Sequence, residues 1–125
     1  MKRLINFILI NVFIVQIVAG QGEANNWFFG SNGGLNFSTG APVFQPGSQI
    51  NAPEGSSSIS DKQGNLLMYS NGSTVWNRNH QPMPNGTGLN GDPSSSQSVV
   101  ITNHPTNPSQ YYVFTTDKEG GANGF

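Results

Sequence analysis

The sequence predicts an all-β protein, and three observations carry that prediction. Short aromatic and β-branched runs alternate with turns rich in Gly, Asn, Ser and Pro, the pattern of strands joined tightly. No window of about 11 residues beyond position 20 shows the apolar spacing of an amphipathic helix. Strand-like segments around Ile59 return around Ile101. Composition agrees. Charged residues are 9% of the 125-residue chain, against roughly 25% in ordinary soluble domains. That argues against long surface helices, which rely on Glu and Lys.

Residues 1–20 read as an export signal. Lys2 and Arg3 give a positive start. Leu4 to Val18 is mostly apolar, broken by Asn6, Asn11 and Gln16, and Val18-Ala19-Gly20 supplies a small-residue cleavage site. A membrane anchor wants about 20 apolar residues, and this run is shorter. Cleavage is expected after Gly20, so the chain meets a membrane only during export. The mature chain, residues 21–125, is then secreted or held at the cell surface. It keeps Lys62, Arg78 and Lys118 against six acidic side chains. That excludes a nucleic-acid binder, which needs clustered Lys and Arg. There is no cysteine, so disulfides, thiolate metal sites and Cys nucleophiles are excluded.

The strands follow in order along the chain. Asn26 to Phe29 is the first, ended by Gly30-Ser31-Asn32-Gly33-Gly34. Leu35 to Ser38, Pro42 to Gln45 and Ser57 to Ser60 come next, and the turn Asp61-Lys62-Gln63-Gly64-Asn65 leads to Leu66 to Ser70. Asn71-Gly72 is the leading hairpin signal, because both residues tolerate positive φ, and Ser73 to Asn77 is the returning partner. Gln81 to Gly91 reads as a loop. Ser98 to Thr102 and Tyr111 to Thr115 are the last strands, joined by a Pro-containing turn. Phe125 is placed to open another.

An internal repeat sharpens the fold. Ile59-Ser60-Asp61 aligns with Ile101-Thr102-Asn103 at an offset of 42, and Leu66 to Ser70 aligns with Tyr111 to Thr115 at an offset of 45. A weaker first copy is Trp27 to Gly33. Strand–turn–strand content at this spacing matches the roughly 40–50 residues of one propeller blade. The expected architecture is therefore a partial β-propeller spanning residues 21–125, with room for about two to two and a half blades where propellers hold about 4–8. The chain is expected to be the N-terminal piece of a larger propeller and to need further blades downstream. A small stand-alone sandwich is the alternative.

A family resemblance enters through three strings. They are NNWFFGSNGGLNFSTGAPV (25–43), EGSSSISDKQGNLLMYSNGSTVWNRNHQPMPNGTGLNG (54–91) and SSSQSVVITNHPTNPSQYYVFTTD (94–117). They resemble the N-terminal region of large secreted Bacteroidetes proteins described as gliding-motility-associated or PKD-domain-containing surface proteins. The resemblance implies a WD-repeat-like or YVTN-type propeller, a place at the cell surface and passage by type IX secretion. It implies no catalytic residue.

Each candidate chemistry has a plainer reading beside it. A glycosidase needs two carboxylates converging across one bond, about 5–9.5 Å apart. Asp61 more simply closes its own turn onto backbone N–H groups, and Asp117-Lys118-Glu119-Gly120 lacks the fixed series of a calcium loop. His80 and His104 are single and separated, short of the three or four ligands of a zinc site. The serines at 56–58 and 94–96 have no nucleophile elbow, and their small side chains suit the narrow centre of a propeller. No phosphate loop occurs, and no cofactor or metal is expected.

The expected function is that of a non-enzymatic module of an exported surface protein, binding or adhering to an extracellular carbohydrate or protein. Aromatic and Asn-rich loops suit stacking and hydrogen bonding to such partners. Trp76, Asn77, Arg78, Asn79 and His80 are the contact candidates. Two alternatives stand beside it. One is a propeller-type polysaccharide hydrolase or lyase using Asp61 or Glu54, and the other is a purely structural blade pair.

Overall fold

The computed structural model describes residues 22–122. The expected export signal and Phe125 lie outside the described residues. Within them the chain is all-β, with several antiparallel sheets and no α-helix. A 3-10 turn, Gly22–Ala24, leads into the first sheet. This sheet holds β1 (Asn26–Ser31), β2 (Gly33–Asn36), β3 (Val43–Phe44) and β4 (Asn51–Ala52), in the order β3-β2-β1-β4. The second sheet is a plain meander of β5 (Ser57–Ser60), β6 (Leu66–Ser70), β7 (Thr74–Asn77) and β8 (Pro82–Thr87). The third is the hairpin of β9 (Val99–Asn103) and β10 (Tyr111–Thr115).

The second sheet is covered on both faces. A β-bulge in the β5–β6 ladder inserts Leu67, so Leu66 and Tyr69 share one face while Leu67 and Met68 share the other. On the first face Leu66, Tyr69 and Trp76 pack with Phe28, Ile50 and Ala52 of the first sheet. Phe28, Tyr69 and Trp76 stack in series, with centroid separations of 4.4 and 5.3 Å. On the second face Ile59 meets Val99 and Ile101, flanked by Met68, Tyr111 and Val113.

Small polar residues tie the sheets together. The Ser58 hydroxyl donates to the Asn26 carbonyl at 2.6 Å, and the Ser57 hydroxyl accepts the Ile101 N–H at 3.2 Å. The Ser98 hydroxyl donates to the Gly55 carbonyl at 2.6 Å. A hydroxyl one carbon from the backbone lets two sheets approach closely while satisfying groups that their ladders leave open. This gives Ser57 and Ser58 of the first serine cluster a structural role.

Three sequence expectations need correction. Gly30 and Ser31 belong to β1, because β4 pairs with them there (Gly30 with Ala52, Ser31 with Asn51). The expected loop from Gln81 to Gly91 contains β8. Pro82 and Pro84 are tolerated because β8 is the outer strand of its sheet, where a missing N–H costs no ladder bond on the open side. The third correction concerns the repeat. The two aligned hairpins do pair alike: Ser57–Ser70, Ser58–Tyr69 and Ile59–Met68 match Val99–Thr115, Val100–Phe114 and Ile101–Val113 at the aligned offsets. Their faces are reversed. Ile59 points toward the third sheet and Ile101 points back at it, while Tyr69 is buried and the aligned Phe114 is exposed. In a stack of identical units, equivalent residues would face the same way. A one-residue slip exchanges the two faces of a strand, so the residue match at these offsets aligns opposite faces.

Candidate functional site

The run from Trp76 to His80 divides between core and turn. Trp76 is 8% exposed and lies in the first core cluster, so its ring is not open for stacking on a ligand. Asn77 holds the turn: its side-chain oxygen accepts the N–H of Asn79 at 2.8 Å and of Gln81 at 3.1 Å. His80, at φ 60°, sets its ring against Phe28 and Tyr69, with Nδ1 3.0 Å from the Tyr69 hydroxyl. Only Arg78 and Asn79 of the five lie mainly in solvent.

The turn from Asp61 to Asn65 uses the same device. Asp61 Oδ1 accepts the N–H groups of Gln63 and Asn65, each at 2.9 Å, and Oδ2 accepts the Asn65 side-chain amide at 2.9 Å. Gly64 takes the positive φ (86°) that His80 takes in the other turn. The Asn65 side-chain amide, then the backbone N–H groups of Asn65 and Gln63 and the charge of Arg78, hold the Asp61 carboxyl below its ordinary value. A carboxyl lowered in the folded state adds stability above its unfolded pKa and loses it as pH falls through the folded value. NMR amide shifts of Gln63 and Asn65 are therefore expected to move together below about pH 4. The Arg78→Ala variant is expected to make that transition at higher pH. A transition at the ordinary carboxylate pH of about 4, unmoved in Arg78→Ala, would contradict the clamp.

Two other carboxylates are also engaged. Glu54 accepts the Ser96 hydroxyl at 3.0 Å. Asp92 accepts the Ser94 N–H at 2.8 Å and sits 3.2 Å from the Lys118 ammonium. The His104 Nδ1 accepts the N–H groups of Thr106 and Asn107. No group of three or more His, Asp or Glu gathers as a metal centre would need, among the described residues.

A different place has the character of a binding site. A groove of about 730 Å³ lies where β1 meets β5 and β9, lined by Glu23, Trp27, Phe29, Leu35, Ser56 and Ile101 among others. β1 alternates strictly: Asn26 and Phe28 go into the core, while Trp27 is 52% and Phe29 41% exposed. The Trp27 indole is fixed. Its N–H donates to the Ala24 carbonyl at 2.8 Å, and its ring lies 5.0 Å from Phe37. Its faces are thus held in place rather than swinging on a free rotor. Serine hydroxyls and the Glu23 carboxylate share the groove.

Comparison with known protein families, curated proteins and solved structures finds no match. Sequence reading named Trp76 as a contact candidate, beside the plainer reading of a packed ring at a strand end, and did not name Trp27 or Phe29. The period of two puts Trp27 and Phe29 on one face of the strand and Asn26 and Phe28 on the other, but which face is covered depends on the neighbouring sheet.

Proposed function

We propose that the protein is a non-enzymatic, carbohydrate-binding module of an exported surface protein. The observation that carries this reading is the groove at β1, where the exposed rings of Trp27 and Phe29 stand beside serine hydroxyls and a carboxylate. An aromatic face packs on the apolar C–H face of a sugar, and the polar groups bond its hydroxyls. Export follows from the signal-like residues 1–20 and from the resemblance to secreted surface proteins. The polysaccharide-cleaving alternative would rest on Asp61 and Glu54; Asp61 is engaged in its own turn and Glu54 accepts the Ser96 hydroxyl.

The architecture we propose is a propeller-type stack of sheets. In its favour are the four-stranded meander β5–β8, the packing of that sheet on both faces, and the apolar outer face of β9–β10 formed by Val100, Tyr112 and Phe114. Such a face suits a further sheet stacked upon it.

The binding claim has a direct test. A glycan array on the purified chain selects a ligand, and calorimetry measures it against variants. Trp27→Ala is expected to weaken binding about tenfold, the loss of an aromatic contact worth about 1.4 kcal/mol. Arg78→Ala, on the outer turn, is expected to bind as wild type does. Equal binding by Trp27→Ala and wild type would remove the groove, and loss in Arg78→Ala alone would move the site to the turn.

A further inference from the structure

A second hollow, of about 600 Å³, lies between the turns of the second and third sheets. Ser60, Asp61 and Gln63 line it from the β5–β6 turn, and Asn103, His104 and Tyr111 line it from the β9–β10 hairpin. Asn103 shares its face of β9 with Val99 and Ile101, the face packed on the second sheet. Val100, Tyr112 and Phe114 lie on the opposite face, so a further sheet stacked on them would stand on the far side of the hairpin from this hollow.

The hollow continues the groove at β1. Glu23 lines both. On β5, Ser58 and Ile59 line the groove and Ser60 lines the hollow; on β9, Ile101 lines the first and Asn103 the second. Two residues along a strand span about 7 Å. The two spaces therefore run end to end along β5 and β9, with Glu23 at the joint. The joint is fixed in place. Gly22 packs so closely on the β5–β6 turn that a Cβ there would sit 2.5 Å from the Gly64 nitrogen. The Asn26 amide also donates to the Gly64 carbonyl at 2.8 Å. At about 730 and 600 Å³, each space matches one small-molecule site of roughly 300–1,000 Å³, and the pair exceeds it.

The second stretch is polar where the first is aromatic. The side chains of Gln63 and Asn103 are exposed there, and a primary amide both donates and accepts, as neighbouring sugar hydroxyls require. His104 Nδ1 accepts the N–H groups of Thr106 and Asn107 at 3.3 and 3.1 Å, which puts the ring proton on Nε2 as a donor. The His104 ring lies 5.1 Å from Tyr112, so that donor does not swing freely. Charge favours one class of sugar. Glu23 stands in both spaces and Asp61 in the second, against Lys62 alone. An acidic sugar at the joint would meet like charge.

We infer that the groove and the hollow form one track for an extended, unbranched and uncharged polysaccharide. Its rings stack on Trp27 and Phe29 at one end, and its hydroxyls bond Gln63, Asn103 and His104 at the other. The inference rests on the carbohydrate reading of the groove and adds to it a second subsite, a chain length and a charge class.

The test is calorimetry with neutral β-1,4-linked glucan, mannan and xylan oligomers, as trisaccharides and hexasaccharides, beside the acidic oligogalacturonide of each length. At least one neutral hexasaccharide is expected to bind about tenfold or more tighter than its trisaccharide, because the second subsite is engaged by a linked chain. The double variant Gln63→Ala/Asn103→Ala, at two exposed positions, is expected to remove that gain and to leave trisaccharide binding unchanged. Trp27→Ala is expected to weaken both lengths. Equal affinity for the two lengths would overturn the second subsite, and so would a double variant that binds the hexasaccharide as wild type does; in either case weakening by Trp27→Ala would leave the groove standing. Tighter binding of the oligogalacturonide would overturn the charge class. No binding of any oligomer at millimolar concentration would overturn the track and the carbohydrate reading together.

Discussion

Replacing Tyr69 with Ala is expected to cost about 3–5 kcal/mol, the range for removing a fully buried aromatic ring. Small domains have roughly 5–15 kcal/mol in total, so the variant should melt at far lower denaturant or fail to fold. Tyr69 has no exposed surface and lies between Phe28 and Trp76. Its hydroxyl accepts the Gln49 N–H at 3.1 Å and meets His80 Nδ1 at 3.0 Å. Tyr69→Phe separates the two contributions. It keeps the ring, leaves the Gln49 and His80 groups without this partner, and is expected to cost about 1–3 kcal/mol. Burial also raises the Tyr69 pKa. A group raised in the folded state contributes stability below its unfolded pKa and loses it as pH rises toward the folded value. Wild-type stability should therefore fall above about pH 10 more steeply than that of Tyr69→Phe. Urea unfolding followed by near-ultraviolet circular dichroism measures all three, and a wild-type-like midpoint for Tyr69→Ala would contradict the stacked core.

Asn26→Asp is the second substitution with a large expected effect. Asn26 is 1% exposed. Its side-chain amide donates to the Ser60 hydroxyl and the Gly64 carbonyl, each at 2.8 Å, and its oxygen accepts the Asn36 amide at 2.8 Å. It thereby ties the first sheet to the β5–β6 turn of the second. A carboxylate of the same shape has no donor for Gly64 and brings an uncompensated buried charge, a loss of about 3–5 kcal/mol at neutral pH. Burial would raise the new carboxyl's pKa, so the penalty grows as pH rises past the unfolded value and shrinks below it. Chemical denaturation at pH 4 and pH 7 is expected to show the variant recovering part of its deficit in acid. A deficit independent of pH would mean that lost shape, and not charge, sets the cost.

The strands that sequence reading found are those whose backbone chemistry is local. Leu66 to Ser70 and Tyr111 to Thr115 are bounded by turns that Asp61, Asn71 and Asn107 clamp with their own side chains, and such clamps are visible in the residue types. What was not legible depends on distant partners. β4 is two residues long and exists because β1 offers it an edge. β8 contains two prolines and survives because, among the described residues, nothing pairs on its far side. The exposure of the β1 aromatics was not legible for a similar reason. Trp27 and Trp76 are the same residue in similar strands, and only the stacking of sheets decides that Trp76 is covered while Trp27 is not. The repeat misled because matching residue types do not say which face of a strand they occupy.

The two tryptophans also provide the most direct test of the binding account. Oxidative footprinting with N-bromosuccinimide, read by mass spectrometry, reports each indole separately in the free chain and with the array-selected polysaccharide. The account predicts that Trp27 reacts first in the free chain and is shielded by saturating polysaccharide, while Trp76 reacts slowly in both states. Trp27 oxidised at an unchanged rate while the polysaccharide is bound would contradict it.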